Sequence, residues 1–346
     1  MALRKLLAAA LAGTLLLGGC APVAVEKDPS RQSRFEASFL DLFDTVTTVV
    51  GYAPSEEAFR EQVDTLHDRL EEYHQLYDIY HDYDGINNLK TINDNAGVAP
   101  VEVDGRILDL LEFCRGLCDQ TGGKVNAAMG SVLSLWHESR EAGINDPQNA
   151  SLPDADKLAE AQKHCSFDGV VIDREASTVW IPDPQQKLDV GAVAKGYALE
   201  RVCQEMDASM IVSLGGNVRV TAPRPDGTDW VVGIQDPDGG EDYLHTLNVR
   251  EGSVVTSGDY QRYYTVDGVR YHHIIDPDTG YPANRYRAVT ILCEDSGLAD
   301  GLSTALFTID RQEGEKLLQE YGAEAMWVMA DGSLEYSSGF RDHIRK

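Results

Sequence analysis

The chain has 346 residues, 57 acidic against 30 basic side chains, a formal charge of −27 and 42% apolar content, enough for a large core in one or two domains. That balance argues against nucleic acid as a partner, because binding a polyphosphate backbone rests on lysine and arginine neutralising phosphates. It leaves room for a small phosphate-bearing ligand, which helix N-termini, backbone amides or a bound cation can hold without many lysines.

The chain opens with Arg4 and Lys5 before an apolar run from Leu6 to Leu17 that ends in Leu17-Gly18-Gly19-Cys20. A short basic region, a short apolar stretch and small residues before a cleavage point describe a secretory signal. The run is shorter than the ~20 residues that span a bilayer. Its end resembles a bacterial lipoprotein box, which implies lipidation at Cys20 and a protein anchored in the cell membrane on its extracytoplasmic face. Residues 1–20 are therefore expected to be a signal, residues 21–37, with Pro22, Pro29 and Ser30, a tether, and residues 38–346 one functional domain. Removing the signal takes two basic side chains with it and leaves 28 against 57, a charge of −29. The five cysteines that remain are odd in number and not paired in spacing, so they do not read as a disulfide framework. Cys114 and Cys118 read as thiols on one helix face.

The β-branched run TVTTVVGY within Phe39 to Tyr52 predicts a strand. Ser55-Glu56-Glu57 supplies an N-cap and first-turn acid for a helix over 55–76. His67, His74 and His81 recur every seven residues along this region and read as ordinary positions rather than as ligands. A helix from Gly105 to Thr121 stops at Gly122-Gly123. Gly169 to Ile181 reads as a hairpin, and a short strand KLDV leads through Gly191 into a helix over 192–206. Strands follow at Met210–Leu214, Trp230–Gln235, Leu244–Arg250, Ser253–Thr256, Arg262–Val266, Arg270–Ile275 and Ala288–Leu292. Helices are expected at Leu298–Thr308 and Gln312–Tyr321, with two short strands last. No repeat with a period on the order of 20 to 50 residues is visible. This mixed order, with several hairpins, predicts an α+β fold with largely antiparallel sheets and packed helices.

Four segments carry chemistry. In LDVGAVAKGYALERV (188–202), Asp189 ends a strand, Gly191 and Gly196 permit close backbone approach, and Ala192 lies at a helix start where backbone groups are still free. SLGGNVRV (213–220) places a glycine pair after an apolar strand, which suits either a tight bend or a ligand against backbone. TSGDYQRYYTVDGVRYHHIIDPDTGYP (256–282) is dense in polar groups. His272 and His273 face opposite ways on a strand, so only one can enter a site, and a histidine near a carboxylate can serve as general base. In LADGLSTALF (298–307), Asp300 and Thr304 lie four apart on one helix face and offer hard oxygens suited to Mg2+.

In this order and spacing the four segments resemble the ApbE-type FAD:protein FMN transferases, above all in TSGDYQRYY, HHIIDPDTGYP and LADGLSTALF. The resemblance extends from residue 39 to about 340 and implies a T-fold-related architecture with the flavin site in a central cleft. It implies transfer of FMN from FAD to a threonine or serine hydroxyl of a target flavoprotein, with release of AMP and with Mg2+ on the diphosphate. Asp300, Thr304 and the Ala192 carbonyl are the metal ligands it implies, and His273 the base, with Asp276 to orient it and Asp259 in support. Phe43, Tyr80, Lys124, Val125, Asn126, Asp189 and Lys195 match flavin-site positions. Asn126 stands where many relatives carry aspartate, and Phe43 where many carry methionine. The acceptor implied is an exported or membrane-bound subunit of a flavin-dependent electron-transfer system; a homodimer stays open. Two alternatives share the same residues: a Mg2+-dependent FAD pyrophosphatase that yields FMN and AMP, and a non-catalytic flavin-binding lipoprotein.

Overall fold

The computed structural model describes residues 32–240 and 242–346; the signal, Cys20 and most of the tether lie outside them. Eight antiparallel strands form the main sheet in the order Ser33–Leu42, Thr45–Ala53, Met210–Leu214, Asn217–Val220, Gly252–Gly258, Tyr286–Cys293, Glu324–Met329 and Leu334–Tyr336. Alternation along these strands sorts side chains onto two faces. Val255, Val289, Ile291 and Trp327 point to the helices, while Val254, Ala288, Met326 and Val328 join Trp230, Val232, Leu247 and Phe340 on the other face. The second face is closed by the separate hairpin Trp230–Gln235 with Tyr243–Val249. The fold is α+β, as the mixed element order predicts.

Three helices cover the first face. Glu56–Tyr77 is capped by Ser55, whose hydroxyl accepts from Ala58 N, and buries Phe59, Val63, Leu66, Leu70 and Tyr73 at helical spacing. Ala194–Gln204 and Ser296–Thr308 pack so closely that a Cβ on Gly196 would stand 2.2 Å from the Ser296 carbonyl oxygen and 2.6 Å from Asp300 Cβ. Glycine is required there for contact, and that contact brings Asp300 against the start of its neighbour.

Several expectations change. The strand expected across Phe39 to Tyr52 is two strands, because Phe43 and Asp44 both take positive φ (52° and 53°) and turn the chain back. The first of these strands begins at Ser33, inside the segment expected to be tether. KLDV (187–190) joins no sheet. Its backbone is satisfied elsewhere: Leu188 N donates to Asn93 Oδ1 at 2.7 Å, Leu188 O accepts from Asn93 Nδ2 at 2.9 Å, and Asp189 N donates to the Ala127 carbonyl at 2.8 Å. The strand expected over Arg270–Ile275 stops at His272 and resumes as the short pair Ile275–Asp276 with Tyr281–Pro282. The helices Leu89–Asp94, Gly130–Asn145 and Ala155–Ala161 have no counterpart in the sequence reading. Gly130–Asn145 buries only a short, broken set at Gly130, Ser131, Val132, Trp136 and Gly143, too irregular to stand out as a stripe.

Candidate functional site

A cleft of about 620 Å3 opens at the ends of interior strands of the main sheet, where Thr45, Gly215, Asn217, Thr256 and Ser257 line it. The Phe43-Asp44 turn, Gly215, Thr256 and Ser257 form one wall, and the loop Lys124–Asn126 with helix Gly130–Asn145 the other. The stretch 189–195, Asp300, Thr304 and His273 line its depth. Ten of the residues singled out for flavin or metal contact line it together: Phe43, Tyr80, Lys124, Val125, Asn126, Asp189, Ala192, Lys195, Asp300 and Thr304.

Phe43 and Asp44 are non-glycine residues in the left-handed region, which costs about 1–2 kcal/mol each. Phe43 N donates to His74 Nδ1 at 3.3 Å, and its ring meets His74 edge-on at 5.3 Å, so strand pairing and one side chain hold the strained turn at the cleft mouth. Tyr80, half exposed, lies over the His137 ring at 5.2 Å; Asp78 fixes its backbone by accepting from Tyr80 N at 2.6 Å.

Asp300 is 5% exposed. Its Oδ2 accepts from Gly196 N at 2.9 Å and stands 4.0 Å from Lys195 Nζ. Burial pushes the carboxyl up from the usual carboxylate range, against the opposing pull of Lys195, Gly196 N and the Asn217 amide. Because Gly196 N turns to Asp300, the Ala192 carbonyl accepts no backbone hydrogen bond among the described residues. Thr304 presents its hydroxyl to the same cleft one helical turn on from Asp300. A desolvated carboxylate with one close donor, a free carbonyl and a hydroxyl make an all-oxygen set that fits a hard divalent cation such as Mg2+, which also keeps water and takes phosphate oxygens.

His272 and His273 diverge. His272 is buried, with Nε2 2.6 Å from the Ala283 carbonyl and its ring edge-on to Phe307. His273 lines the cleft, its backbone N and Nδ1 both directed to the Arg262 carbonyl at 3.1 and 3.3 Å. Its ring keeps partial contact with the open cleft yet lies deep among protein atoms. Burial, then the charges of Arg262, His272, Lys195 and Arg140, pull its proton affinity well below the ordinary histidine value. The neutral ring is therefore the form present near pH 7.

Asp276 is not the partner of His273. It is engaged by Lys124, whose Nζ lies 3.2 Å from Asp276 Oδ1 and 2.7 Å from Asp278 Oδ2, and no His273–Asp276 hydrogen bond exists among the described residues. Burial opposes the Lys124 charge, but the two carboxylates more than offset it and its proton affinity is raised. Asp259 lies off the cleft between Arg270 (3.9 Å) and Arg287 (3.8 Å). Asn126 acts in the fold: Oδ1 accepts from Ala128 N at 2.9 Å, and Nδ2 donates to the Cys165 carbonyl at 2.8 Å, a bond that aspartate cannot make. Asp189 Oδ1 accepts from Gly191 N at 2.8 Å and so closes the turn into helix Ala194–Gln204; burial raises its carboxyl, the Gly191 amide opposing.

His137, Arg140, Asn217 and Arg262 also line the cleft and were not singled out from the sequence. For the first two no signal existed without the helix that carries them. Asn217 and Arg262 sat inside segments already noted, SLGGNVRV and TSGDYQRYY. The histidine series splits: His74 and His81 line the cleft, whereas His67 pairs with Asp41 at 2.9 Å away from it, and its ring with Asp68 and Glu71 forms a largely exposed cluster.

The fold and cleft define an α+β protein with a cleft lined by acidic and hydroxyl side chains beside cationic and aromatic ones. A sequence model of the ApbE family matches residues 43–327, and the chain belongs to that family. It is 36% identical over 277 residues to the FAD:protein FMN transferase of Treponema pallidum (strain Nichols), an alignment that covers 74% of this chain and 75% of that protein. It is 30% identical over 275 residues to the FAD:protein FMN transferase of Klebsiella pneumoniae (strain 342), covering 76% and 83% respectively. Among solved structures, the ApbE protein of Thermotoga maritima MSB8 superposes with a TM-score of 0.80 at 31% identity, over 91% of this chain and all of that one. The flavin transferase ApbE of Vibrio cholerae shares the fold, with a TM-score of 0.74 at 22% identity over 90% of this chain and 100% of that one.

Proposed function

We propose that the chain is a Mg2+-dependent FAD:protein FMN transferase that moves FMN from FAD to a threonine or serine hydroxyl of an acceptor protein and releases AMP. The observation that carries this reading is the meeting of Asp300, Thr304 and the free Ala192 carbonyl with Lys195 and His273 in one cleft. Support comes from relatives whose names state the transfer.

In this reaction the acceptor oxygen attacks the phosphorus of the FMN half of FAD. A new P–O bond forms, the bond to the AMP phosphate breaks, and the hydroxyl proton must leave. In this reading His273 takes that proton. With Nδ1–H donating to the Arg262 carbonyl, the tautomer inferred from this contact leaves Nε2 with a free lone pair, and the lowered proton affinity keeps it free near neutrality. Asp300, Thr304 and the Ala192 carbonyl would hold Mg2+, which when bound neutralises charge on the diphosphate and the departing AMP. Lys195 adds a positive charge 4.0 Å from the Asp300 carboxylate. Phe43 and Tyr80 offer aromatic faces to the ring systems of FAD. Lys124, held by Asp276 and Asp278, stiffens the loop on the opposite wall. A lipid at Cys20 would keep this cleft on the extracytoplasmic side of the membrane, where an exported or membrane-bound flavoprotein subunit is the acceptor.

The test is incubation with FAD, Mg2+ and a candidate acceptor domain, followed by intact mass. Addition of one FMN to the acceptor is expected; free FMN and AMP beside unmodified acceptor would show hydrolysis instead. His273→Ala is expected to retain FAD binding and to lose transfer by about 10²- to 10⁴-fold. For the anchor, Cys20→Ala is expected to move the protein from the membrane fraction to the soluble fraction.

A further inference from the structure

Asn217 is 2% exposed and lines the cleft, yet its Nδ2 has no hydrogen-bond partner among the described residues. Its position follows from a tight hairpin: Gly215 and Gly216 take φ of 57° and 94° between the strands Met210–Leu214 and Asn217–Val220. A side chain at Gly215 would strike Thr45 Oγ1 at 2.4 Å, so glycine lets the turn pack directly against Thr45. On its other side Asn217 pairs with Val255 of the strand Gly252–Gly258. The backbone of Asn217 thus serves the sheet, while its side-chain amide lies near the Asp300 carboxyl, whose proton affinity it helps to lower, without a hydrogen bond of ordinary length to it. A buried donor without a partner is rare in native proteins, and an apolar residue of similar size would suit the sheet better. Asp300 and Lys195 line the same cleft.

We infer that Asn217 is a substrate-binding residue whose side-chain N–H donates to an anionic oxygen of the bound ligand, a diphosphate oxygen of FAD. The assignment rests on the functional reading above and deepens it. One N–H fixed by a rigid hairpin sets where the diphosphate lies relative to Asp300 and Thr304. A donor at this point selects an anion and cannot itself ligate a cation.

FAD affinity, read from flavin fluorescence, and thermal stability in the absence and presence of FAD test this in the full chain. Asn217→Ala is expected to leave the ligand-free Tm unchanged or higher, since it removes an unpaired donor, to weaken FAD binding about tenfold and to shrink the FAD-induced rise in Tm. Asn217→Ser, which retains a smaller donor, is expected to fall between Ala and wild type and serves if the alanine variant does not fold. A lower ligand-free Tm with unchanged FAD affinity would make Asn217 a structural residue and overturn the assignment. Tighter Mg2+ binding by Asn217→Asp with undiminished FAD affinity would overturn it as well, because the side chain would then act through oxygen on the cation. Wild type that binds no FAD would sink the functional reading itself, whereas wild-type binding matched by all three variants sinks this assignment alone.

Discussion

Glu200 and Asp300 are buried acids on adjacent helices, 2% and 5% exposed, and the fold treats them differently. Glu200 is completed from all sides: Arg219 reaches it through Nε at 3.0 Å and Nη2 at 3.3 Å, Ser296 N donates at 2.8 Å and Gln204 Nε2 at 3.0 Å. Asp300 receives one backbone amide at ordinary hydrogen-bond length, with a lysine at 4.0 Å and the Asn217 amide nearby. The two helices exchange these bonds, since Ser296 N donates to Glu200 and Gly196 N to Asp300. A buried charge that the protein itself neutralises holds elements together; one left short of partners marks where a ligand must finish the coordination.

The comparison can be broken at either end. Asp300→Asn keeps the shape and the acceptor for Gly196 N but removes the charge. Transfer is expected to fall more than about a thousandfold, beyond the 10- to 100-fold typical of outer-sphere changes, while the ligand-free Tm holds or rises. Turnover measured by intact mass and melting measured on the same sample decide it; retained turnover would move the cation elsewhere. Glu200→Ala is the converse. It strands Arg219 in the core and is expected to cost about 3–5 kcal/mol in a denaturant titration, with FAD affinity intact in the fraction that stays folded. A loss below about 1 kcal/mol would mean the two acids are alike after all.

Smaller effects sharpen the picture at the cleft rim. Tyr80→Ala removes the ring that lies over His137 and is expected to weaken FAD binding about three- to tenfold without changing Tm, as read by fluorescence titration and melting. The smallest effect is on acid stability. Burial holds the folded His273 below its ordinary proton affinity, so the unfolded chain binds more protons once pH drops below about 6.5. Stability contributed by the neutral ring is present above that pH and is lost as pH falls through it. Melting of His273→Gln from about pH 7.5 to 5 should therefore show a shallower acid limb than wild type; parallel limbs would indicate that His273 titrates normally.

Local pattern and chemistry were readable in the chain. The Ser55 cap and the apolar spacing after it set the first helix, Gly122-Gly123 ended the helix before them, and Asp300 and Thr304 were bound to share a face because they are four apart. The motif order carried the family, and the family carried the cleft residues. Where reading failed, the missing information was non-local. KLDV has strand composition, but its hydrogen-bonding groups are taken by Asn93 and Ala127, far along the chain. Asp276 has the chemistry to orient a histidine, but Lys124, 152 residues away, claims it. Periodicity along the chain fixes what each element can bury and which groups it can offer. Which of those groups meet is settled by packing: the glycine contact that seats Asp300 at the start of a neighbouring helix, the strained turn that holds Phe43 at the mouth, and the hairpin that leaves Asn217 Nδ2 without a partner.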